Sequence, residues 1–431
     1  MELWRGQPCG GRMTTDPGLV SAEENRLLTS TGAGTPMGEV LRRYWWPVGI
    51  TEELKEKPTF VRVLGEDLVL FRDRRGRAGL IEARCAHRRA NLCLGTVGLE
   101  GLRCRYHGWL YDTQGRILDA PGTLPGSDVK ERVRQRAYPV EELGGLVFAY
   151  LGPAPAPLLP RFDFLTKPGL RLARVIGFAN SNWLQLAENG CDPLHVTFAH
   201  AMSWGGVASA PIHMSFDETQ WGLIYRSGRP IDRRERFAYR EQHWLLPGVT
   251  LASEGYGRMT ANDFGSLKLS HALMPRGARY NVPLDDTHTM LVRVIWVPEG
   301  SPAEYDRSKL LTTPDWRPDP VEPYREYRRL EDRPSLGYDW PQMVSAQDAT
   351  IQDSMGALAD RENEHLTPSD GGVVIARKLL RDALAAVTAG RDPKGVLRDS
   401  SANRDIEIPV FEDVLGREDF ERLTRLHEAA E

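Results

Sequence analysis

Two short segments concentrate side chains able to bind metal. Cys85-Ala-His87 and Cys104-Arg-Tyr-His107 each carry one thiol and one imidazole, with residues 88–103 between them. Each pair follows a strand-like run, so both belong at loop tips that could grip one object from two sides. A zinc ion accepts two Cys and two His. So does a [2Fe–2S] cluster in which two thiolates hold one iron and two imidazoles hold the other. Zinc modules often keep like ligands together, whereas here each loop brings one of each and can reach both irons. Cys93, between the pairs, reads as a small buried filler.

A second set lies downstream in ENGCDPLHVTFAH, with His195, His200 and, three residues before the first, Asp192. Two His and one carboxylate on one face of Fe(II), with the other face open, form the facial triad of non-haem iron oxygenases. Residues five apart on a regular helix diverge by roughly 140°. A bulge or a helix end near His200 is therefore needed to converge the two rings.

The elements that must position these residues change in texture along the chain. From 59 to 152 the signals are β. TFVRVLGEDLVLFRDRRGRAGLIEAR gives three strands, HGWLYDTQGRIL gives a hairpin turning at Asp112–Gly115, and GLVFAYLGP closes the region. The proline-rich GPAPAPLLPRFDFL marks a boundary near 152–162. Beyond it, 181–200 is helix-like with an interruption at Asp192-Pro193, and 205–298 is mostly strand. Residues 345–366 read as a helix with Ile351, Met355 and Leu358 at helical spacing. Residues 373–390 read as an amphipathic helix stopped by Gly390. Upstream, GTPMGEVLRRYWWPVGI reads as a short helix docking an aromatic cluster, and SAEENRLL as a polar segment.

A chain of 431 residues is long for one core, so two domains are expected. Its 41% hydrophobic and 26% charged content is that of an ordinary globular protein. A net charge of −4 with scattered Lys and Arg gives no nucleic-acid footprint. Apolar runs are too short to span a bilayer, so no membrane partner is expected. Five cysteines suit a reduced, cytoplasmic setting better than a disulfide framework. Residues 1–35 read as a leader and docking segment without a secretory h-region, and Met13 is an alternative translation start.

The stretch CAHRRANLCLGTVGLEGLRCRYHGWLYDTQG resembles the Rieske non-haem iron oxygenases. It shares their Cys-x-His, their later Cys-x-x-His and the Gly-Trp that follows. Ala86-His87-Arg88-Arg89 stands where that family often has Pro-His-Arg-Gly, and neither change removes a ligand. The resemblance continues in Asp192-x-x-His195-x-x-x-x-His200 and covers roughly 20–395. Within the family, LLTSTGAGTPMGEVLRRYWWPVGI, NWLQLAENGCDPLH and DSMGALADRENEHLTPSDGGVVIARKLL look like the phthalate dioxygenase branch of terminal oxygenase α subunits.

This resemblance implies that Cys85, His87, Cys104 and His107 hold a Rieske [2Fe–2S] cluster. It implies a mononuclear Fe(II) on His195, His200 and an Asp from a late helix. Asp348 fits that role best, Asp353 second, and Asp360 looks like part of a surface Asp-Arg pair. Asp192 would bridge His195 to His107 of a neighbouring subunit, which implies a head-to-tail homotrimer or a dimer of trimers. The implied fold is α+β: a small antiparallel β Rieske domain at 36–155, then a larger helix-grip catalytic domain with a curved antiparallel sheet at 156–431.

The implied activity is hydroxylation of a small aromatic, carboxylate-bearing substrate with O₂ and electrons from an NADH-dependent reductase, directly or through a ferredoxin. A monooxygenase or an O- or N-demethylase with the same metals is the alternative. A pure electron carrier is the rival from another class, and it would need neither His195 and His200 nor so many residues. Arg226 and Arg240 are candidate anchors for a substrate carboxylate, although both equally suit solvent-facing strand positions. His365 could support the helix carrying Asp348. His213, His243, His271, His288 and His427 have no assigned role.

Overall fold

The computed structural model describes residues 20–200, 209–231, 235–254, 273–301 and 344–428. His271 and the side chain of His427 lie outside the described residues.

The first half is built of short antiparallel strands: β1 (Trp45–Ile50), β2 (Thr59–Val63), β3 (Glu66–Arg72), β4 (Ala78–Glu82), β5 (Thr96–Val97), β6 (Leu102–Arg103), β7 (Leu110–Tyr111), β8 (Ile117–Asp119), β9 (Ala137–Tyr138), β10 (Val140–Leu143) and β11 (Leu146–Tyr150). They form three small sheets, ordered β1-β11-β10, β2-β3-β4-β9 and β5-β6-β7-β8. The expected three strands, the hairpin and the closing strand are all present.

The second half adds β12 (Gly169–Ala179), β13 (His213–Glu218), β14 (Gly222–Pro230), β15 (Arg236–Leu245), β16 (Val249–Ser253), β17 (Arg276–Pro283), β18 (Thr289–Pro298) and β19 (Phe411–Gly416). These make one sheet ordered β12-β18-β17-β16-β15-β14-β13, with β19 pairing β15. Every pairing in it is antiparallel, and β12 carries an irregularity between Val175 and Gly177. β18 reads TMLVRVIWVP, and only Arg293 in it is not buried. A run this apolar on both sides of a single arginine marks a strand covered on both faces. Helices Trp183–Asn189, Val344–Ser354 and Gly371–Thr388 pack on the sheet. The mixed architecture is the α+β class expected from the sequence. Among the described residues no helix is long and apolar enough to cross a membrane.

Local rules explain the helix ends. Ser21 caps the helix Ala22–Thr29 by accepting from Glu24 N at 3.2 Å, so SAEENRLL is helical rather than merely polar. Thr35 caps Pro36–Leu41, which has proline in its first turn. The reading of 345–366 as one helix is corrected. The helix is Val344–Ser354, and Gly356 follows at φ 89°, a left-handed conformation that ends it. Met355 and Leu358 are exposed, so their helical spacing was coincidental. Gln185 secures this end, donating from Nε2 to Gln352 O and Gly356 O at 3.1 Å each and accepting from Ala359 N at 2.9 Å.

The two halves share one hydrophobic core. Trp45, Trp46 and Phe148 from the first pack in the same cluster as Trp183, Trp244 and Tyr280 from the second. The rings of Phe148 and Tyr280 meet edge-on at 5.8 Å.

A buried ion network ties the helices together. Glu188 accepts from Arg361 Nη2 at 2.7 Å and from Arg377 Nε at 2.6 Å. Arg361 also donates to Asn25 Oδ1 at 3.0 Å, and Arg377 to Glu364 at 2.8 Å. Burial opposes ionisation of Glu188, but the two guanidiniums outweigh it and hold the carboxyl below its ordinary range. Its contribution to stability is therefore complete above the unfolded carboxyl pKa of roughly 4.3 and fades as pH falls through the lower folded value. Removing one partner of a buried ion pair costs roughly 3–5 kcal/mol. Glu188→Gln is expected to lower the unfolding free energy by about that much at pH 7, read from urea midpoints. The gap from the parent is expected to shrink in strongly acidic buffer; a gap independent of pH would remove the charge from the explanation.

Candidate functional site

Two loops of the first half share one backbone pattern. Arg89 N donates to Cys85 O at 2.8 Å, and Cys85 N to Ala90 O at 2.9 Å. Likewise Gly108 N donates to Cys104 O at 3.0 Å, and Cys104 N to Trp109 O at 2.8 Å. Each turn needs a left-handed residue, supplied by Arg89 at φ 60° and Gly108 at φ 76°. The pattern puts the thiols inside and the imidazoles outside: Cys85 and Cys104 are buried, His87 is exposed and His107 half-buried. The His87 and His107 rings lie 4.7 Å apart, and His87 stacks on Trp109 at 4.6 Å.

Further residues support these loops, and the sequence reading missed them. Tyr111 Oη lies 3.0 Å from Cys85 Sγ. Buried Gln135 accepts from Ala86 N at 2.7 Å and donates to Glu82 O and Arg84 O at 2.8 and 2.9 Å. Burial pushes the Cys85 thiol up, and the hydrogen bond with Tyr111 opposes that shift. Desolvation, with the charges of His107 and Arg88, lowers His87 and favours the neutral, metal-binding imidazole. Cys93 is half-buried rather than fully buried, and burial raises its thiol to about 11. No disulfide occurs among the described residues.

The second cluster brings the helix His195–Ala199 and its cap to the helix Val344–Ser354. Among the described residues, His195, His200 and Asp348 are the one set of three metal-binding side chains whose donor atoms all lie within 4.8 Å of one another. His195 begins the helix His195–Ala199, and His200 caps its end at φ −110°, ψ 12°. That helix end lets side chains five residues apart converge, with ring centroids 5.4 Å apart and nearly perpendicular. Asp348 Oδ1 lies 3.1 Å from His200 Nε2 and 3.6 Å from His195 Nε2.

The outward nitrogens are also held. His195 Nδ1 lies 2.6 Å from the main-chain carbonyl of Asp192, and His200 Nδ1 lies 2.7 Å from Gln347 Oε1. With the Nδ1 atoms held by these oxygens, both Nε2 atoms point at Asp348, where a bound metal would take the place of a proton. Burial works against an ionised Asp348, but the His200 hydrogen bond and the charges of Arg279, His195 and His200 bring its pKa to about 2. The glycines opening Gly371–Thr388 let that helix approach closely, for a Cβ on Gly372 would lie 2.2 Å from Cys191 O.

Other expected residues fall elsewhere. The Asp192 carboxylate accepts from Leu194 N at 2.7 Å, and its Oδ2 lies 3.6 Å from His195 Nδ1. Its main-chain oxygen thus makes the closer contact with His195. Asp353 is on the helix but accepts from Ser181 Oγ at 2.9 Å. Asp360 accepts from Asn363 at 2.7 Å, while its neighbour Arg361 is buried on Glu188 rather than in a surface pair. Arg226 pairs with Asp217 and Glu241, and Arg240 with Glu412 at 2.7 Å, so both are engaged within the protein. His365 is exposed. Gln347 and Arg279 were missed as partners. Arg279 on a mostly buried strand was the available signal, since a charge in such a run needs a reason.

A model of the Rieske [2Fe–2S] domain matches residues 44–138. The 5,5'-dehydrodivanillate O-demethylase oxygenase subunit of Sphingobium sp. (strain NBRC 103272 / SYK-6) is 34% identical, over 91% of this chain and 87% of that one. The phthalate 4,5-dioxygenase oxygenase subunit of Pseudomonas putida is 30% identical, over 88% of this chain and 89% of that one. Among solved structures, NdmA of Pseudomonas putida CBB5 with caffeine superposes with a TM-score of 0.62 at 20% identity, over 82% of this chain and 94% of that one, a likeness of fold. With a Rieske [2Fe–2S] domain at its start and these relatives along nearly its whole length, the chain belongs to the Rieske non-haem iron oxygenases, as an oxygenase subunit of the phthalate dioxygenase-like branch.

Proposed function

We propose that this oxygenase subunit hydroxylates a small aromatic, acid-bearing substrate with O₂, using electrons from an NADH-dependent reductase directly or through a ferredoxin. One observation carries the reading: the buried His195, His200 and Asp348 set, in a chain that also has a Rieske domain. In this reading Cys85 and Cys104 hold one iron of the cluster, and His87 and His107 the other. His195, His200 and Asp348 hold a mononuclear Fe(II), which when bound supplies the oxygen chemistry. The protein's own residues fix the imidazoles and bury the carboxylate.

Arg229 supports an anionic substrate. It is 3% exposed and donates to Pro193 O at 3.0 Å and Thr197 Oγ1 at 3.5 Å, on the segment that carries His195. No carboxylate among the described residues makes a direct ion pair with it, and burial, with nearby Arg240, lowers it to about 10 against the pull of Glu412 and Asp192. A buried cation of this kind favours a ligand that brings the missing charge. The similarity to an O-demethylase subunit supports a second reading, in which oxygen insertion at a methyl ether releases the methyl group.

A head-to-tail trimer fits the surface. The exposed His87 and the half-buried His107 lie beside Tyr106, 59% exposed, and the helix His195–Ala199 presents Phe198, 72% exposed. Apolar surface at both places suits contact between subunits. Asp192, about a quarter exposed, would there join His195 to His107 of the neighbouring subunit.

Metal analysis tests the sites. The purified protein is expected to hold about three iron atoms and two acid-labile sulfides per chain. His195→Ala is expected to lose about one iron while keeping both sulfides. Loss of sulfide, or full oxygenase activity in His195→Ala, would overturn the assignment.

Tyr111→Phe is expected to lower the cluster's midpoint potential in a redox titration. The lost hydrogen bond favours the more negative reduced state by about 1 kcal/mol, or roughly 40 mV for one electron. An unchanged potential would count against Cys85 as a cluster ligand.

A single turnover of pre-reduced protein with labelled O₂ and a panel of aromatic acids and aryl methyl ethers tests the reaction. Both labelled atoms in one product are expected for ring hydroxylation. One atom, or loss of methyl, selects the second reading. No product from an iron-replete sample would sink the aromatic-acid proposal.

A further inference from the structure

The two oxygens of Asp348 have different surroundings. Oδ1 faces the imidazole nitrogens of His200 and His195 at 3.1 and 3.6 Å. Oδ2 accepts from Arg279 Nη1 at 2.9 Å. Arg279 is itself anchored, because its Nη2 donates to Asn189 Oδ1 at 3.0 Å and approaches Leu186 O at 3.4 Å. Asn189 Nδ2 reaches back toward Asp348 Oδ1 at 3.5 Å. The guanidinium therefore spans from β17 to the end of helix Trp183–Asn189 and cannot swing off the carboxylate without losing these partners.

A carboxylate can bind a metal through one oxygen or two. A fixed cation on one oxygen competes with the metal for that atom. We propose that Arg279 is a positioning residue that keeps Asp348 a one-oxygen ligand, so that a coordination position stays open to a small molecule. The inference rests on the mononuclear iron reading. It assigns Arg279 to the openness of the site rather than to substrate contact, and it explains why a charge sits on a buried strand. Hydrogen-bond partners of metal ligands commonly change affinity or activity by roughly 10–100-fold when removed.

The test uses the full chain with its cluster oxidised, reloaded anaerobically with Fe(II), and nitric oxide as the small-molecule probe. Near-infrared magnetic circular dichroism reports the coordination number, and electron paramagnetic resonance reports the iron–nitrosyl. In Arg279→Met the iron is expected to gain the second carboxylate oxygen, and apparent nitric oxide affinity to fall by about 10-fold or more. Arg279→Lys, which keeps a cationic donor, is expected to retain most of the parent's behaviour. A folded Arg279→Met with the parent's spectrum and affinity would overturn the proposal. If Arg279→Met does not fold, a crystal structure of the iron-loaded parent decides. Oδ2 on Arg279 and off the metal sustains the proposal, and both oxygens on the metal overturn it. A parent that binds no Fe(II) at His195, His200 and Asp348 defeats the iron reading itself, and this proposal with it.

Discussion

Glu188 is the constraint on which the second half depends. A carboxylate buried at the end of a helix is tolerable only because two guanidiniums reach it, one from the 361 turn and one from the long helix Gly371–Thr388. Those two arms come from 173 and 189 residues away in sequence, so the pairing closes the fold. Its immediate neighbour is Asn189, which holds Arg279, which in turn holds Asp348. Its main-chain oxygen accepts from the buried Cys191 thiol at 3.2 Å, just before Asp192 and the helix bearing His195. The candidate metal set therefore hangs from a short relay of polar contacts that begins at one buried charge.

What the sequence made legible was local. Cys85 with His87, and Cys104 with His107, could be read because ligand types and spacing lie within a few residues. The need for a helix end at His200 followed from helical geometry alone, and the end is there. The strands of the first half were legible because their turns carry Gly and Asp at fixed offsets. What escaped was set by distance along the chain. Arg279 meets Asp348 across 69 residues, Gln135 meets Ala86 across 49, and Gln347 meets His200 across 147. No local pattern encodes such partners. Arg226 and Arg240 stayed open between two readings for the same reason, since the acids that engage them, Asp217, Glu241 and Glu412, become neighbours only once the sheet forms. The overlong helix at 345–366 misled differently. Apolar spacing continued past Gly356, but the backbone did not.

The two candidate centres meet opposite requirements with similar means. At the loop tips the thiols are buried, with His87 exposed and His107 half-buried. At the second set the carboxylate is 3% exposed and both imidazoles are fixed through Nδ1. In each, residues outside the candidate set do the fixing: Gln135 at the first, Gln347 and Arg279 at the second.

The continuous core has a consequence for how such proteins diversify. Trp45, Trp46 and Phe148 belong as much to the larger sheet's packing as to their own strands. The cluster-bearing half is therefore not an interchangeable cassette. Replacing it alone would remove rings that share a core with Trp183, Trp244 and Tyr280, and those rings sit on β1 and β11.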